Sequence, residues 1–125
     1  MAAGCRTFPF SGMNYRVEVL GCKVNQVEAE QIRQVLDGRG LSEAAVGGAC
    51  DLAVVHSCAV TKEAVRKTRR LARRLRRECG GSGPLILTGC AARSDLAGSL
   101  DGVIPVEPGP GWADRLARVL DGVLP

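Results

Sequence analysis

Four short apolar runs, each followed by a helical pattern, leave this chain few folds to choose from. Residues 15–20 (YRVEVL) are β-branched-rich and brief, which predicts a strand. Residues 51–57 (DLAVVHS) and 84–88 (PLILT) are almost continuously apolar, the pattern of strands covered on both faces, and residues 103–106 (VIPV) form a shorter fourth run. Residues 41–46 read as a weaker strand between the first two runs.

Helical spacing fills the gaps. After the first run, Asn25 to Glu28 resembles a capping box, and Ala29, Ile32, Val35 and Leu36 recur at helical intervals until Gly38 or Gly40 stops the pattern. Between residues 61 and 79, Ala64, Val65, Thr68, Leu71, Ala72, Leu75 and Cys79 make one apolar stripe, with Thr61 as N-cap and Gly80-Gly81 as the stop. A short helix from Ser94 to Leu100 and a terminal amphipathic helix from Trp112 to Leu120 complete the series. Strands alternating with helices give a parallel sheet joined by crossovers. The expected fold is α/β: one domain, an open parallel sheet of about five strands with helices on both faces, flavodoxin-like or Rossmann-like.

At 125 residues the chain is one domain long and can bury about two-thirds of its unfolded surface, so it needs no disulfide staples. With 46% apolar residues but only four aromatics, its core must be aliphatic. Residues 1–12 have neither the apolar run of a signal peptide nor any other strong pattern, and are expected to be a disordered tail or an extended start before a domain over residues 13–125. No run of eighteen apolar residues occurs, so a cytoplasmic protein with no membrane partner is expected.

Six cysteines in a reducing compartment are expected to act as ligands, nucleophiles or buried fillers rather than bridges. No CxxC pair is present, which argues against a zinc ribbon or a thioredoxin-type redox pair. Three cysteines share one position: Cys22 follows the first strand, Cys58 the third and Cys90 the fourth, each where the strand hands over to its helix. Carboxyl ends of parallel strands line the ligand crevice of such folds, so the three thiols are expected at one edge. Converging thiolates suit an iron–sulfur cluster, and a cluster held by three leaves one iron free. A Cys3His zinc site is the other metal reading, because His56, the only histidine, lies two residues before Cys58 and shares its strand face. Cys5, Cys50 and Cys79 do not join the pattern.

Three stretches carry a family resemblance: Leu20-Gly-Cys-Lys-Val-Asn-Gln26, Ser57-Cys-Ala-Val-Thr61 before a basic helix, and Leu87-Thr-Gly-Cys-Ala-Ala92. In order and spacing they resemble the signatures of the N-terminal domain of radical-SAM methylthiotransferases, over about residues 14–120. The form after Cys22 and Cys58 is similar to the branch that makes 2-methylthio-threonylcarbamoyladenosine at position 37 of tRNA. The resemblance implies that Cys22, Cys58 and Cys90 ligate an auxiliary 4Fe-4S cluster whose fourth iron is open to the inserted sulfur or methylthio group. Gly21 and Gly89 would then let the backbone turn sharply at Cys22 and Cys90. His56, Ala91 and Arg93 depart from the residues usual in the family. The triple-cysteine motif that binds the second cluster and S-adenosylmethionine is missing, as is the terminal RNA-binding domain. On this resemblance the chain is expected to be a fragment, or a domain that works with a separate radical-SAM domain or partner chain.

Nine of the seventeen lysines and arginines fall between residues 61 and 79 against two glutamates, a local charge of +7, while the rest of the chain sums to −3. Like charges at i,i+4 cost roughly 0.2–0.5 kcal/mol each in an isolated helix, and tRNA phosphates would offset that cost. With few aromatics for base stacking, the expected partner is tRNA held through its backbone, not DNA. Two other functions compete with the cluster domain. One is a flavodoxin-like module for a nucleotide or flavin phosphate, although Gly-Cys-Lys-Val-Asn-Gln supplies no GxGxxG and no hydroxyl-rich cradle. The other is a Cys3His zinc domain with a basic RNA-binding helix.

Overall fold

The computed structural model describes residues 13–20, 23–44, 50–57, 61–78, 84–89, 103–107 and 109–123. The elements run β1 (Asn14–Leu20), α1 (Lys23–Gly38), β2 (Ser42–Glu43), β3 (Leu52–Ser57), α2 (Lys62–Glu78), β4 (Leu85–Thr88), β5 (Val103–Val106) and α3 (Trp112–Val123). All five strands are parallel and lie in the order β2-β1-β3-β4-β5. This is the doubly wound 2-1-3-4-5 order of flavodoxin-like sheets, so the open α/β expectation holds and its flavodoxin-like alternative is the one realised. The expected helix from Ser94 to Leu100 lies outside the described residues. β2 is only Ser42–Glu43, and the latter part of the predicted strand also lies outside them.

Alternation along the strands divides the core in two. Tyr15 and Val17 of β1, Leu52 and Val54 of β3, Ile86 of β4 and Val106 of β5 pack with Ala29, Ile32 and Leu36 of α1 and Leu116 and Leu120 of α3. Ala53, Val55, Leu85 and Leu87 pack on the other face with Leu71, Ala72 and Leu75 of α2. Every residue of β3 and of β4 is buried, the apolar stretches by their hydrophobicity and the polar ends His56, Ser57 and Thr88 through hydrogen bonds. Burying a leucine-sized side chain is worth about 1.5–3 kcal/mol, so these two aliphatic layers supply the main driving force.

Local chemistry sets the helix boundaries. Thr61 caps α2: its Oγ1 accepts from the Ala64 N–H at 3.0 Å, and its carbonyl accepts from Val65 N at 3.0 Å. Such a cap is worth about 1 kcal/mol, and Glu63 in the first turn adds a charge that favours the helix N-terminus. α1 starts at Lys23, two residues before the expected capping box. At its far end Gly40, with φ 97°, makes the left-handed turn that returns the Leu41 N–H to the Leu36 carbonyl.

Two polar anchors tie helices to β1. The Tyr15 hydroxyl donates to Asp37 at 2.8 Å, and burial together with that carboxylate pushes the phenol well above its ordinary pKa. Arg16 is buried and binds Glu18 at 2.9 Å and Glu78 at the end of α2. Burial alone would lower the guanidinium pKa, but the two carboxylates outweigh it and hold the pKa above its usual value. In turn, the bond from Arg16 holds the Glu78 carboxyl below the usual carboxylate range. Cys50 departs from the expectation that cysteines here are unpaired: it is disulfide-bonded and buried beside the α2 layer. Every other cysteine lies outside the described residues.

Candidate functional site at the carboxyl edge of the sheet

β1, β3 and β4 are consecutive in the sheet, and their last residues are almost level. Leu20 pairs with Ser57, and His56 pairs with Thr88. With neighbouring strands about 4.8 Å apart, the three ends fall within roughly 10 Å of one another. Winding reverses between β1 and β3, since β2 lies on one side of that pair and β4 and β5 on the other. Doubly wound sheets bind ligands at the carboxyl ends beside such a reversal. Cys22, Cys58 and Cys90 follow these ends by two, one and two positions in the sequence and lie outside the described residues, as does Gly21. The first turn of α1 begins at Lys23, and α2 begins at Lys62.

The groups just inside this edge are tightly ordered. His56 is 5% exposed, and both ring nitrogens are occupied: Nδ1 lies 2.8 Å from Thr88 Oγ1 and Nε2 lies 2.9 Å from Glu28 Oε1. An ionised carboxylate only accepts, so Glu28 assigns the Nε2 proton to the histidine. With both ring nitrogens hydrogen-bonded, His56 could ligate a metal only by giving up Glu28 or Thr88. Glu28 was expected in a capping box; instead it reaches from α1 across to β3. Only the tertiary fold could reveal that pairing, because the two residues are 28 positions apart.

Alternation sends the next residue, Ser57, to the opposite face. Its Oγ donates to Thr68 Oγ1 at 2.7 Å, while Thr68 donates to the Ala64 carbonyl at 2.7 Å. Ser57 and Thr68 are both essentially inaccessible to solvent, so this chain of hydroxyls pins α2 to the end of β3. Gly89 ends β4 with φ +81°, in the left-handed region that L side chains avoid. A Cβ there would stand 2.7 Å from the Ser57 carbonyl oxygen and 3.1 Å from His56 Cε1, so only glycine fits. The left-handed backbone expected at Gly89 is observed, while Cys90, which it precedes, lies outside the described residues.

A small pocket of about 50 Å³ opens at the same edge on the α1–α3 face, with Glu28, His56, Thr88, Gly89, Glu107 and Trp112 among its lining residues. Arg115 of α3 shapes its rim by donating to the carbonyls of Glu107, Gly109 and Pro110. Among the described residues, no group of three or more histidine, cysteine or acidic side chains is arranged to hold a metal ion. No described helix is long and apolar enough to cross a membrane.

Strand order defines a flavodoxin-like α/β domain, and the level strand ends, each followed in the sequence by a cysteine, make the carboxyl ends of β1, β3 and β4 its candidate functional edge. Residues 14–101 match the family described as Uncharacterized protein family UPF0004, and the chain belongs to that family. The chain is 41% identical over 78 residues to the threonylcarbamoyladenosine tRNA methylthiotransferase MtaB of Thermotoga maritima, covering 62% of this chain and 18% of that protein. It is 35% identical over 86 residues to a tRNA-2-methylthio-N(6)-dimethylallyladenosine synthase of Novosphingobium aromaticivorans, covering 68% and 19%. The MtaB of Bacillus subtilis is 35% identical over 78 residues, 62% of this chain and 17% of that protein. The resemblance to an MtaB-like methylthiotransferase N-terminal domain, read from three motifs, is borne out. The chain spans about a fifth of the length of these curated relatives. No solved structure matches it.

Proposed function

We propose that this chain is the auxiliary-cluster domain of a tRNA methylthiotransferase that adds a methylthio group to threonylcarbamoyladenosine at position 37 of tRNA. The observation that carries the reading is the level, adjacent ending of β1, β3 and β4, each followed within two residues by a cysteine. The donor chemistry fits a 4Fe-4S cluster: Cys22, Cys58 and Cys90 would hold it through soft thiolates. Bound in this way, the cluster would supply one open iron for the sulfur to be transferred. The N-termini of α1 and α2 follow directly from two of these strand ends and favour the negative charge that thiolates bring. The chain's own residues hold the edge in shape: Ser57 and Thr68 fasten α2, Gly89 takes the turn, and Glu28 and Thr88 lock His56. S-adenosylmethionine, its second cluster and further RNA contacts would come from a radical-SAM domain or partner chain, in the cytoplasm.

A Cys3His zinc site is disfavoured by the occupied nitrogens of His56, and a flavin phosphate by the lack of a cradle after β1. The test is anaerobic reconstitution of the chain with iron and sulfide. About four irons and four sulfides per chain are expected, with Cys58→Ala losing most of them and His56→Gln keeping them. A wild-type chain that stays colourless, or that carries one zinc and no sulfide, overturns the proposal.

A further inference from the structure

We infer that the exposed face of α2 is a track for an RNA phosphate backbone, formed by Arg66, Arg70, Arg73 and Arg77. The choice of RNA as partner rests on the proposed function, while the anion chemistry rests on the helix itself. Thr68, Leu71, Ala72 and Leu75 turn to the sheet and are buried. The four arginines, spaced i, i+4, i+7, i+11, are all exposed on the other side, in a row about 16 Å long. The acids of α2 are spent elsewhere: Glu63 lies 3.5 Å from Lys67, and Glu78 is shared by Arg16 and Arg74. Among the described residues, none of the four forms a contact ion pair with a carboxylate, although Arg77 is near enough to Glu78 to help hold its carboxyl low. With Arg69 they line a shallow cleft whose walls are arginine alone.

Helix propensity does not explain the row, because the like charges at 66/70 and 73/77 oppose it. A polyanion along the helix would convert that repulsion into binding. Arginine forks suit phosphate oxygens, and one helical turn of about 5.4 Å sets them at intervals a flexible strand can follow. An acidic protein fits less well, since protein interfaces centre on apolar anchors and this cleft has none. The one large hydrophobic exposed among the described residues, Val27, is on α1. Without an aromatic in the cleft, contact would position RNA without reading its bases.

The direction of the track is set by its anchors. Thr68 meets Ser57 at the carboxyl edge, whereas Glu78 meets Arg16 near the start of β1, so the row descends from the functional edge along the outside of the domain. A strand held there would lead toward the ends of β1, β3 and β4.

The test uses the full chain without iron, so that failure to bind RNA and failure to assemble a cluster are separate results. Binding of fluorescein-labelled unmodified tRNA is followed by anisotropy across a salt series. Each arginine that neutralises a phosphate adds roughly 0.7–0.9 to the slope of log affinity against log salt. The variant Arg66→Gln/Arg70→Gln/Arg73→Gln/Arg77→Gln should therefore lower the slope by about 3 and weaken binding at least roughly tenfold at low salt. Its circular dichroism should match wild type, and Arg118→Gln, an exposed change on α3, should bind as wild type does. An unchanged slope in the quadruple variant overturns the inference. So does polyglutamate that displaces tRNA at equal charge, which would assign the row to an acidic protein.

Discussion

Replacing Gly89 with alanine should be among the most damaging single-methyl changes available to this domain. The added Cβ must tolerate φ +81°, a conformation that costs an L residue about 1–2 kcal/mol. It must also stand 2.7 Å from the Ser57 carbonyl oxygen and 3.1–3.2 Å from the His56 ring. Neither neighbour yields cheaply: the carbonyl is backbone of a central strand, and the ring is held by Glu28 and Thr88. Forcing a methyl into a packed site of this kind adds about 1–3 kcal/mol, for a total of about 2–5 kcal/mol. That is a large share of the 5–15 kcal/mol typical of a whole domain. With a urea slope of about 1–3 kcal/mol/M, the unfolding midpoint should fall by about 0.7–5 M. Gly38→Ala is the matched control: nothing lies within 4 Å of its added Cβ, and restricting the unfolded chain should leave stability equal or about 0.4–1 kcal/mol higher. A Gly89→Ala protein within about 0.5 kcal/mol of wild type would refute both the turn geometry and its role in shaping the approach to Cys90.

Two further outcomes follow from the anchors on α2. Thr68→Val keeps the shape of the side chain but strips the Ser57 hydroxyl of its acceptor, and should destabilise the domain by about 1–3 kcal/mol in urea unfolding. Adding Ser57→Ala should recover part of that loss, because no buried hydroxyl is then left alone; strict additivity would contradict a direct bond between the two. Glu78 has a folded-state pKa below its unfolded value, near 4.3, so its bond to Arg16 stabilises fully above that value and is given up as the pH falls through the lower one. Urea midpoints measured from pH 6 to pH 3 should drop on the acid side, and Glu78→Gln should flatten that drop; an identical acid arm in the variant would remove Glu78 from the linkage.

The edge also shows why a histidine close to a cysteine is a poor guide to a ligand. Read along the chain, His56 and Cys58 share a strand face, and a Cys3His site is a natural thought. In three dimensions the ring fills the gap between α1 and β4, where it bonds the buried Thr88 hydroxyl and the exposed Glu28 carboxylate and packs against Gly89. Its function in the fold is to brace the end of β4. The three cysteines were legible as members of a repeated strand-end motif, and the level ends of β1, β3 and β4 support that reading.

What the sequence determined alone is everything that depends on near neighbours. Period and β-branched content placed the four main strands, the hydroxyl of Thr61 started α2 where its cap geometry is seen, and the repeat of arginines every three or four residues put a charged face opposite Leu71 and Leu75. Tertiary structure decided the rest. Apolar runs carry no address, so only the packing of crossovers could set β1 between β2 and β3 and choose the flavodoxin-like order over the Rossmann-like one. Glu28, His56 and Thr88 are about thirty residues apart in succession and met only once α1 and β4 had docked on β3. The disulfide of Cys50 likewise depends on proximity created by folding, which no local pattern encodes. Hydrogen bonds and close contacts are short-ranged in space, whereas periodicity and capping are short-ranged along the chain, and the two coincide only within a helix, a strand or a turn.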